Sequence, residues 1–233
     1  MNTEPGRRID HYADGALITS RRRQKAEIIG EALRNLLPEE TALELVDFGC
    51  ADGAIPVLLL KSALGNSVAR ITGITLLDYN DLPEKRTHVH ERFRRIVANL
   101  EGPLENTDLP WGACQAVTAT AFLPYLRQPE AAFRLACRLL RPGGYLLVSL
   151  PARWVLAVRQ WGLTGRRNER IRHRHSLNWW AETAGRCRFQ EVSRQAVQWL
   201  GIDWSAGFER WLRARSRLCR VGSNYLVIYR EAT

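Results

Sequence analysis

One short window holds most of the residues whose types and spacing could do chemistry. In LELVDFGCADGAIPVLLLK, residues 43–61, Asp47 closes an apolar run. Gly49, Cys50, Ala51, Asp52 and Gly53 follow at once, and a second apolar run begins. A tight connector needs one glycine. Two glycines flanking an alanine suggest a loop that a ligand approaches closely, because a missing Cβ admits unusual backbone angles and near contact. An apolar strand, a small-residue loop and a helix N-terminus together suit an adenosyl or phosphate group. The plain alternative is an ordinary turn between strand and helix. The spacing is D-x-G-x-x-x-G, not the G-x-G-x-x-G that a dinucleotide fold prefers.

Other candidates are scattered. His173 and His175 in RHRHSL read either as bases or as structural members ahead of a helix, and His11 beside Tyr12 lies in RRIDHYADG. The five cysteines are odd in number and form no C-x-x-C pair, so no metal site and no disulfide framework is predicted. Cys114 reads as a small buried residue. Seven of the eight tryptophans (Trp154, Trp161, Trp179, Trp180, Trp199, Trp204 and Trp211) follow Pro151. Arg166, Arg167, Arg170, Arg172 and Arg174 cluster in the same third. Aromatics interleaved with arginines could stack bases and hold phosphates. They could equally wall a pocket for an aromatic or anionic small molecule, or divide into a core helix face and a solvated surface. For the cluster as a whole, the pocket wall is the favoured expectation.

The elements that must position these residues alternate. Spacings of three and four predict a helix from about Arg22 to Leu37, closed by Pro38. ALELVDF reads as a strand and AIPVLLLKSAL as a helix ended by Gly65–Asn66. ARITGITLL is a second strand, LPEKRTHVHERF a short helix, and RRIVANL a third strand. CQAVTATAF is a fourth strand, PEAAFRLACRLL a helix, and RPGGYLLVSLP turns at Gly143–Gly144 into a fifth strand. Strand and helix in repeated alternation predict an α/β fold, a mostly parallel sheet covered by helices on both faces. Beyond Pro151, residues 159–176 read as a basic loop and LNWWAETAG as a helix ending at Gly185. RFQEVSRQAVQWL begins as a strand, AGFERWLRARSRLC is helical, and SNYLVIYRE is a last strand.

A length of 233 residues suits one sizeable domain. We expect a single unit over 1–233, with an N-terminal helical cap over 1–40, a binding core over 41–151 and a C-terminal elaboration over 152–233. The formal net charge is +10, and only Lys25, Lys61 and Lys85 are lysines among 34 basic residues. That charge could steer nucleic acid, an anionic metabolite or a membrane surface, or simply reflect an arginine-rich solvated exterior. No run approaches the ~18 apolar residues of a membrane span, and MNTEPGRRIDHYADG lacks a signal peptide's apolar core. The expectation is a cytoplasmic protein with unpaired thiols.

Asp47, Gly49 and Gly53, read with RLLRPGGYLLVSLP and AVTATAFLPYLRQPEAAF in that order, resemble the motifs of class I S-adenosylmethionine-dependent methyltransferases. The resemblance runs from about residue 12 to 151. It implies a doubly wound, seven-stranded, mostly parallel sheet with a C-terminal antiparallel strand pair, and S-adenosyl-L-methionine as cofactor. By that resemblance Gly49, Cys50, Ala51 and Gly53 line the methionine and ribose side, mainly through backbone groups. Asp47 orients the loop or meets the methionine ammonium. The acid that holds the ribose hydroxyls in relatives falls nearest Thr75, with Asp78 three residues on. GITLLDYN is also similar to cyclopropane-fatty-acid-synthase-like methyltransferases, which points to Asn80; Asp78 is the choice among the three. The adenine contact falls on Asn99 and Leu100, with Asn99 in place of the usual aspartate. Ala119 in TATAF lies beneath the sulfonium. Ala51 replaces the central glycine of the loop motif, and Gln115 stands where relatives begin strand four with aspartate.

Methyl transfer from a sulfonium needs alignment and exclusion of water, and only some acceptors need a base. The resemblance therefore assigns no catalytic residue. The [DN]-P-P-[YF] signature of exocyclic-amine methylation is absent, FLPYL being a poor substitute, and no Pro-Cys or Thr-Cys nucleophile ends a strand. The implied activity is O- or N-methylation of a small molecule, an aromatic or anionic one among the candidates. The alternatives are an RNA- or protein-directed methyltransferase using the basic C-terminal third, or a degenerate cofactor-binding partner subunit.

Overall fold

The computed structural model describes residues 20–37, 42–61, 71–79, 90–161, 171–198 and 224–232. Seven strands form one sheet: β1 (Leu43–Phe48), β2 (Ile71–Asp78), β3 (Phe93–Val97), β4 (Cys114–Thr120), β5 (Leu140–Pro151), β6 (Phe189–Gln198) and β7 (Asn224–Glu231). Their spatial order is β3-β2-β1-β4-β5-β7-β6. Pairings among β1 to β5 are parallel, and β7 runs antiparallel to both β5 and β6. Five helices accompany them among the described residues: α1 (Ser20–Leu36), α2 (Ala54–Lys61), α3 (Pro129–Leu139), α4 (Arg153–Gln160) and α5 (Leu177–Arg186). This is the Rossmann-like, doubly wound sheet with an antiparallel C-terminal pair that the sequence implies.

Period-two alternation assigns the strand residues to two cores. Leu43, Leu45, Ile74, Leu76, Ala116, Leu147, Leu226 and Ile228 pack under α1 and α2 with Ile29, Leu33, Leu59 and Leu60. Val46, Phe48, Leu77, Val117, Ala119, Val148, Leu150, Val227 and Tyr229 pack under α3 and α5 with Phe133, Ala136 and Trp180. Phe133 is the hub of the second core. Its ring lies 6.5 Å from Trp180, 6.3 Å from Phe189 and 5.9 Å, edge-on, from Tyr229.

Some boundaries depart from the sequence reading. Phe93 belongs to β3 and not to a helix, because the Ile74 amide bonds to Arg92 and draws the chain into the ladder. β3 then ends at Val97, short of the predicted Leu100. α4 was not predicted: its eight residues span barely two turns, too few to print a period on the sequence. β5 starts directly after α3 and carries the Arg141–Gly144 stretch as a bulge, its partners stepping from Cys114 to Ala116 across it. Gly144 is required there, since a Cβ would stand 3.0 Å from the Arg141 carbonyl oxygen. Of the helix predicted over 82–93, residues 90–92 form a turn and 82–89 lie outside the described residues, as does the helix predicted over 206–219.

Candidate active site

The parallel strands end together at one edge of the sheet, and ligands of doubly wound folds bind outside that edge. Asp47 and Phe48 at the end of β1 align with Leu76 and Leu77 of β2 and with Thr118 and Ala119 of β4. By alternation Asp47, Asp78 and Thr118 share the face covered by α1 and α2.

Asp47 is a buried acid at this edge. It is 2% exposed. Thr118 donates its hydroxyl to Oδ1, and Oδ2 is buried with no partner among the described residues. Burial pushes the carboxyl up to about 7, with nearby Asp78 adding to the effect and the Thr118 hydrogen bond opposing it. A buried acceptor left unmatched at a ligand-binding edge suits a cationic hydrogen-bond donor.

The loop after Asp47 is held tightly. Gly49, Ala51 and Gly53 all have left-handed backbone, with φ of 65°, 48° and 77°. Ala51 takes this conformation without glycine's freedom because both its peptide groups are clamped. Its N–H donates to Asp78 Oδ2 at 2.7 Å, and its carbonyl accepts from Arg95 Nη2 at 3.0 Å. Gly49 donates to the Leu77 carbonyl at 2.8 Å, and Phe122 lies against its Cα. Asp52 accepts from Ala54 N–H at 3.1 Å, capping α2, and pairs with Arg22 of α1 at 2.6 Å. Arg22 thus fastens the loop, whereas Arg23 is exposed.

The predicted contact residues are distributed as follows. Asp47, Gly49, Ala51, Gly53 and Asp78 come together at this edge. The Cys50 side chain turns away into the α1–α2 core, where burial and then Asp47 push its thiol well up, so only its backbone can face a ligand. Asp78 is the last residue of β2. Thr75 sits three residues earlier, about 10 Å down the strand, with its side chain on the opposite face. It is not brought to the loop. Asn80 lies outside the described residues. Asn99 is exposed and its Oδ1 accepts from Glu101 N–H at 3.1 Å, closing a turn beyond β3. Leu100 is buried in the α3–α5 core, which leaves its backbone for contact. Ala119 is buried one residue inside the end of β4. The surface past that end is instead made by Ala121, with φ of 53°, and Phe122.

Sequence reasoning missed Arg95, Thr118, Phe122 and Tyr79. Thr118 was legible in principle, as the polar residue that opens TATAF near the end of the fourth strand. Arg95 follows from β3's register with Leu76, which only the sheet reveals. Tyr79 directly follows Asp78 and is half exposed. Gln115 lies at the opposite edge, where its side-chain oxygen accepts from Glu44 N–H at 2.6 Å and ties β4 to β1.

The C-terminal aromatics divide. Trp180 is wholly buried, which corrects its place in a pocket wall: it is core. Trp154 and Trp161 are 52% and 67% exposed, and Trp179 is half-buried against His175. Trp199, Trp204, Trp211, Arg166, Arg167, Arg170, His11 and Tyr12 lie outside the described residues. The described cysteines Cys50, Cys114, Cys137 and Cys187 are unpaired. No helix among the described residues is long and apolar enough to cross a membrane.

A seven-stranded sheet of this order, with an acid and two left-handed glycines at the end of its first strand, defines a doubly wound α/β fold with a loop at its ligand-binding edge. Residues 20–186 match the family model described as a methyltransferase domain, and the chain belongs to the class I S-adenosylmethionine-dependent methyltransferases. Over 118 residues it is 29% identical to the malonyl-[acyl-carrier protein] O-methyltransferase of Bacteroides fragilis (strain 638R). That match covers 50% of this chain and 22% of that protein, so the chain spans about a fifth of that relative's length. An S-adenosylmethionine-dependent methyltransferase from Mesorhizobium loti superposes with a TM-score of 0.57 at 18% identity, over 86% of this chain and 96% of that one. A chain from the complex between the Haloferax volcanii Trm112 methyltransferase activator and a methyltransferase gives a TM-score of 0.62 at 13% identity, over 93% and 100%.

Proposed function

We propose that this chain methylates oxygen or nitrogen of a small-molecule acceptor in the cytoplasm, using S-adenosylmethionine held over the ends of β1, β2 and β4. The observation that carries the reading is Asp47: a buried carboxylate oxygen without a partner, at the edge where the cofactor's ammonium needs an acceptor. The left-handed Gly49–Gly53 loop offers its backbone to the methionine and ribose. Asp78 takes the ribose hydroxyls, and Asn99 with the Leu100 amide takes the adenine edge. The cofactor supplies an electrophilic methyl group. The protein's share is to orient the acceptor against it and keep water out.

Calorimetric titration with S-adenosylhomocysteine tests the binding half. Micromolar affinity is expected in the wild type and none in Gly49→Arg, whose side chain would fill the cradle beside Phe122. No binding to wild type at millimolar ligand would sink the reading. Transfer of labelled methyl to a panel of hydroxyl, phenol, amine and carboxylate compounds then finds the acceptor.

A second reading, a macromolecular acceptor, is favoured by one observation. Arg127, Arg153, Arg172 and Arg174 are all exposed, as are Trp154 and Trp161. If that surface holds nucleic acid, labelled RNA shifts in a strongly salt-dependent way, because phosphate contacts release counterions. The relative that acts on a malonyl-acyl-carrier protein makes an acidic carrier protein the matching control.

A further inference from the structure

We propose that His175 is the base that takes the acceptor's proton, with His173 as the positioning residue that fixes its tautomer. The proposal rests on the methyltransferase reading and narrows it, because a base is needed only for an acceptor that must lose a proton. The class implied is a hydroxyl, phenol or amine, not a carboxylate.

Place comes first. β6 runs parallel to β5, since each is antiparallel to β7, so α5, which leads into β6, descends from the ligand-binding edge. Residues 171–176, just ahead of α5, therefore lie at that edge. They are pinned to the turn that follows β4: Arg172 and His173 both donate their amides to the Pro124 carbonyl, at 2.9 and 3.1 Å. Pro124 is two residues from Phe122, which covers Gly49 of the cofactor loop.

The hydrogen bonds then dictate where the protons sit. His173 Nε2 lies 3.2 Å from the Arg127 carbonyl, which can only accept, so this nitrogen carries hydrogen. Neutral His173 is then an acceptor at Nδ1. His175 Nε2, 3.0 Å away, must donate to it. That leaves His175 Nδ1 as a bare lone pair with no partner among the described residues. A chain of this form orients an imidazole and leaves its far nitrogen basic. The ring is also held in place. Trp179 stacks on His175 with centroids 3.6 Å apart, and the Trp179 amide is itself fixed by the Ser176 cap at 3.2 Å.

The surroundings of His175 favour its neutral form. Burial and then His173 hold the His175 ring below the ordinary histidine range, with Arg153 of α4 adding to this and Glu130 of α3 opposing it. Glu130 is itself paired with Arg186 at 3.8 Å. From the strap, Arg172 and Arg174 are exposed, and from the turn before α3 Arg127 is exposed too. In the step, the acceptor's O–H or N–H bond breaks and its electron pair stays on the atom that gains the methyl. The proton forms the Nδ1–H bond of His175. The cofactor's methyl–sulfur bond would break with its electron pair left on sulfur, so that the positive charge brought by the sulfonium would end on the imidazolium.

Long-range ¹H–¹⁵N spectra of the imidazoles at pH 7.5 test the proposal without an acceptor. His175 should show a bare Nδ1 and a protonated Nε2. His173→Asn keeps an acceptor oxygen and should keep that signature, while His173→Phe should scramble it. His175 should titrate lower in the S-adenosylmethionine complex than in the S-adenosylhomocysteine complex, because only the first carries a sulfonium. With an acceptor in hand, His175→Gln should lower kcat by about 10²- to 10⁴-fold. Its S-adenosylhomocysteine affinity should stay within about twofold of wild type. The wild-type rate should rise tenfold per pH unit below the His175 pKa and then level off. A protonated Nδ1, identical His175 titrations in the two complexes, or a pH-independent rate retained in His175→Gln would each overturn the proposal. Failure of wild type to bind S-adenosylhomocysteine would overturn instead the reading beneath it.

Discussion

Replacing Asp47 with asparagine separates what this carboxylate costs the fold from what it contributes to binding. In the unfolded chain the carboxyl titrates near 3.8, and in the fold near 7. The native state therefore holds a proton that the unfolded chain has already lost, and stability falls as pH rises from about 4 to about 7. The span is 7 − 3.8 = 3.2 units, and at about 1.36 kcal/mol per unit the loss is about 4 kcal/mol. Asparagine is neutral throughout and keeps an oxygen for the Thr118 hydroxyl, so it removes the slope and little else. Denaturant unfolding of both proteins from pH 4.5 to 8.5 reads this directly, because other titrating groups cancel in the difference. The two should agree within about 1 kcal/mol at the acid end, and the variant should be more stable by up to about 4 kcal/mol above pH 7.5. A difference that stays constant across that range would refute the argument.

Binding should move the other way. Wild-type affinity for S-adenosylhomocysteine should tighten as pH rises through about 7, as Asp47 ionises to meet the ligand's ammonium. Asp47→Asn should bind about 10- to 100-fold more weakly at pH 8, the worth of a charge-assisted hydrogen bond, and lose that pH dependence. A variant both stabler and tighter-binding at pH 8 would show that the orphan oxygen faces no ligand cation.

Three further substitutions probe the same edge and the core beneath it. Ala51→Gly removes a Cβ from a residue at φ 48° and should stabilise by about 0.5–1 kcal/mol, raising Tm by about 1–4 °C in a thermal melt. Gly49→Ala places a Cβ 2.5 Å from Cδ2 of Phe122 at a left-handed position, and should cost about 2–3 kcal/mol in denaturant unfolding. Adding Phe122→Ala should return part of that loss, and simple additivity of the two would deny the clash. Tyr229→Phe deletes a buried hydroxyl that has no partner among the described residues. It should leave stability unchanged or raise it by about 1 kcal/mol, with S-adenosylhomocysteine affinity unaffected in calorimetry.

Much of this was legible from local pattern. The β–α alternation gave the strands because each buried face repeats every two residues and each helix face every three to four. Asp47, Gly49 and Gly53 stood out because an acid at the end of an apolar run, followed by residues without side-chain bulk, is rare outside a binding loop. What local pattern could not give was register. Thr75 and Asp78 are equally polar in GITLLD, and only the pairing of β2 with β1 puts one on the loop's face at the strand end and the other on the far face. Arg95 is one of two adjacent arginines, and the sheet alone decides that it, not Arg94, reaches the Ala51 carbonyl. Trp179 and Trp180 are also neighbours, yet α5 sends one into the Phe133 core and the other onto His175. Short α4 escaped because eight residues, barely two turns, do not establish a period.

Two of the departures from the family's motifs, Gln115 and Ala51, prove physically unlike. Gln115 lies at the edge away from the loop, and its amide oxygen satisfies the first backbone donor of β1 beyond Leu43; it serves the sheet and touches nothing a ligand would meet. Ala51 lies in the loop, in a conformation that disfavours a Cβ by roughly 1–2 kcal/mol, and two hydrogen bonds from different strands hold it there. Those partners, Asp78 and Arg95, sit on the same face as Asp47. The strain at Ala51 and the unmatched oxygen of Asp47 therefore burden one small patch, flanked by Ala121 in the same left-handed conformation. Costs concentrated in this way persist when the surrounding structure holds them for a purpose. An ordinary turn would relax by a glycine at 51 or an asparagine at 47, each a stabilising change by the arithmetic above. That both easy remedies are absent argues that the patch is shaped for its ligand.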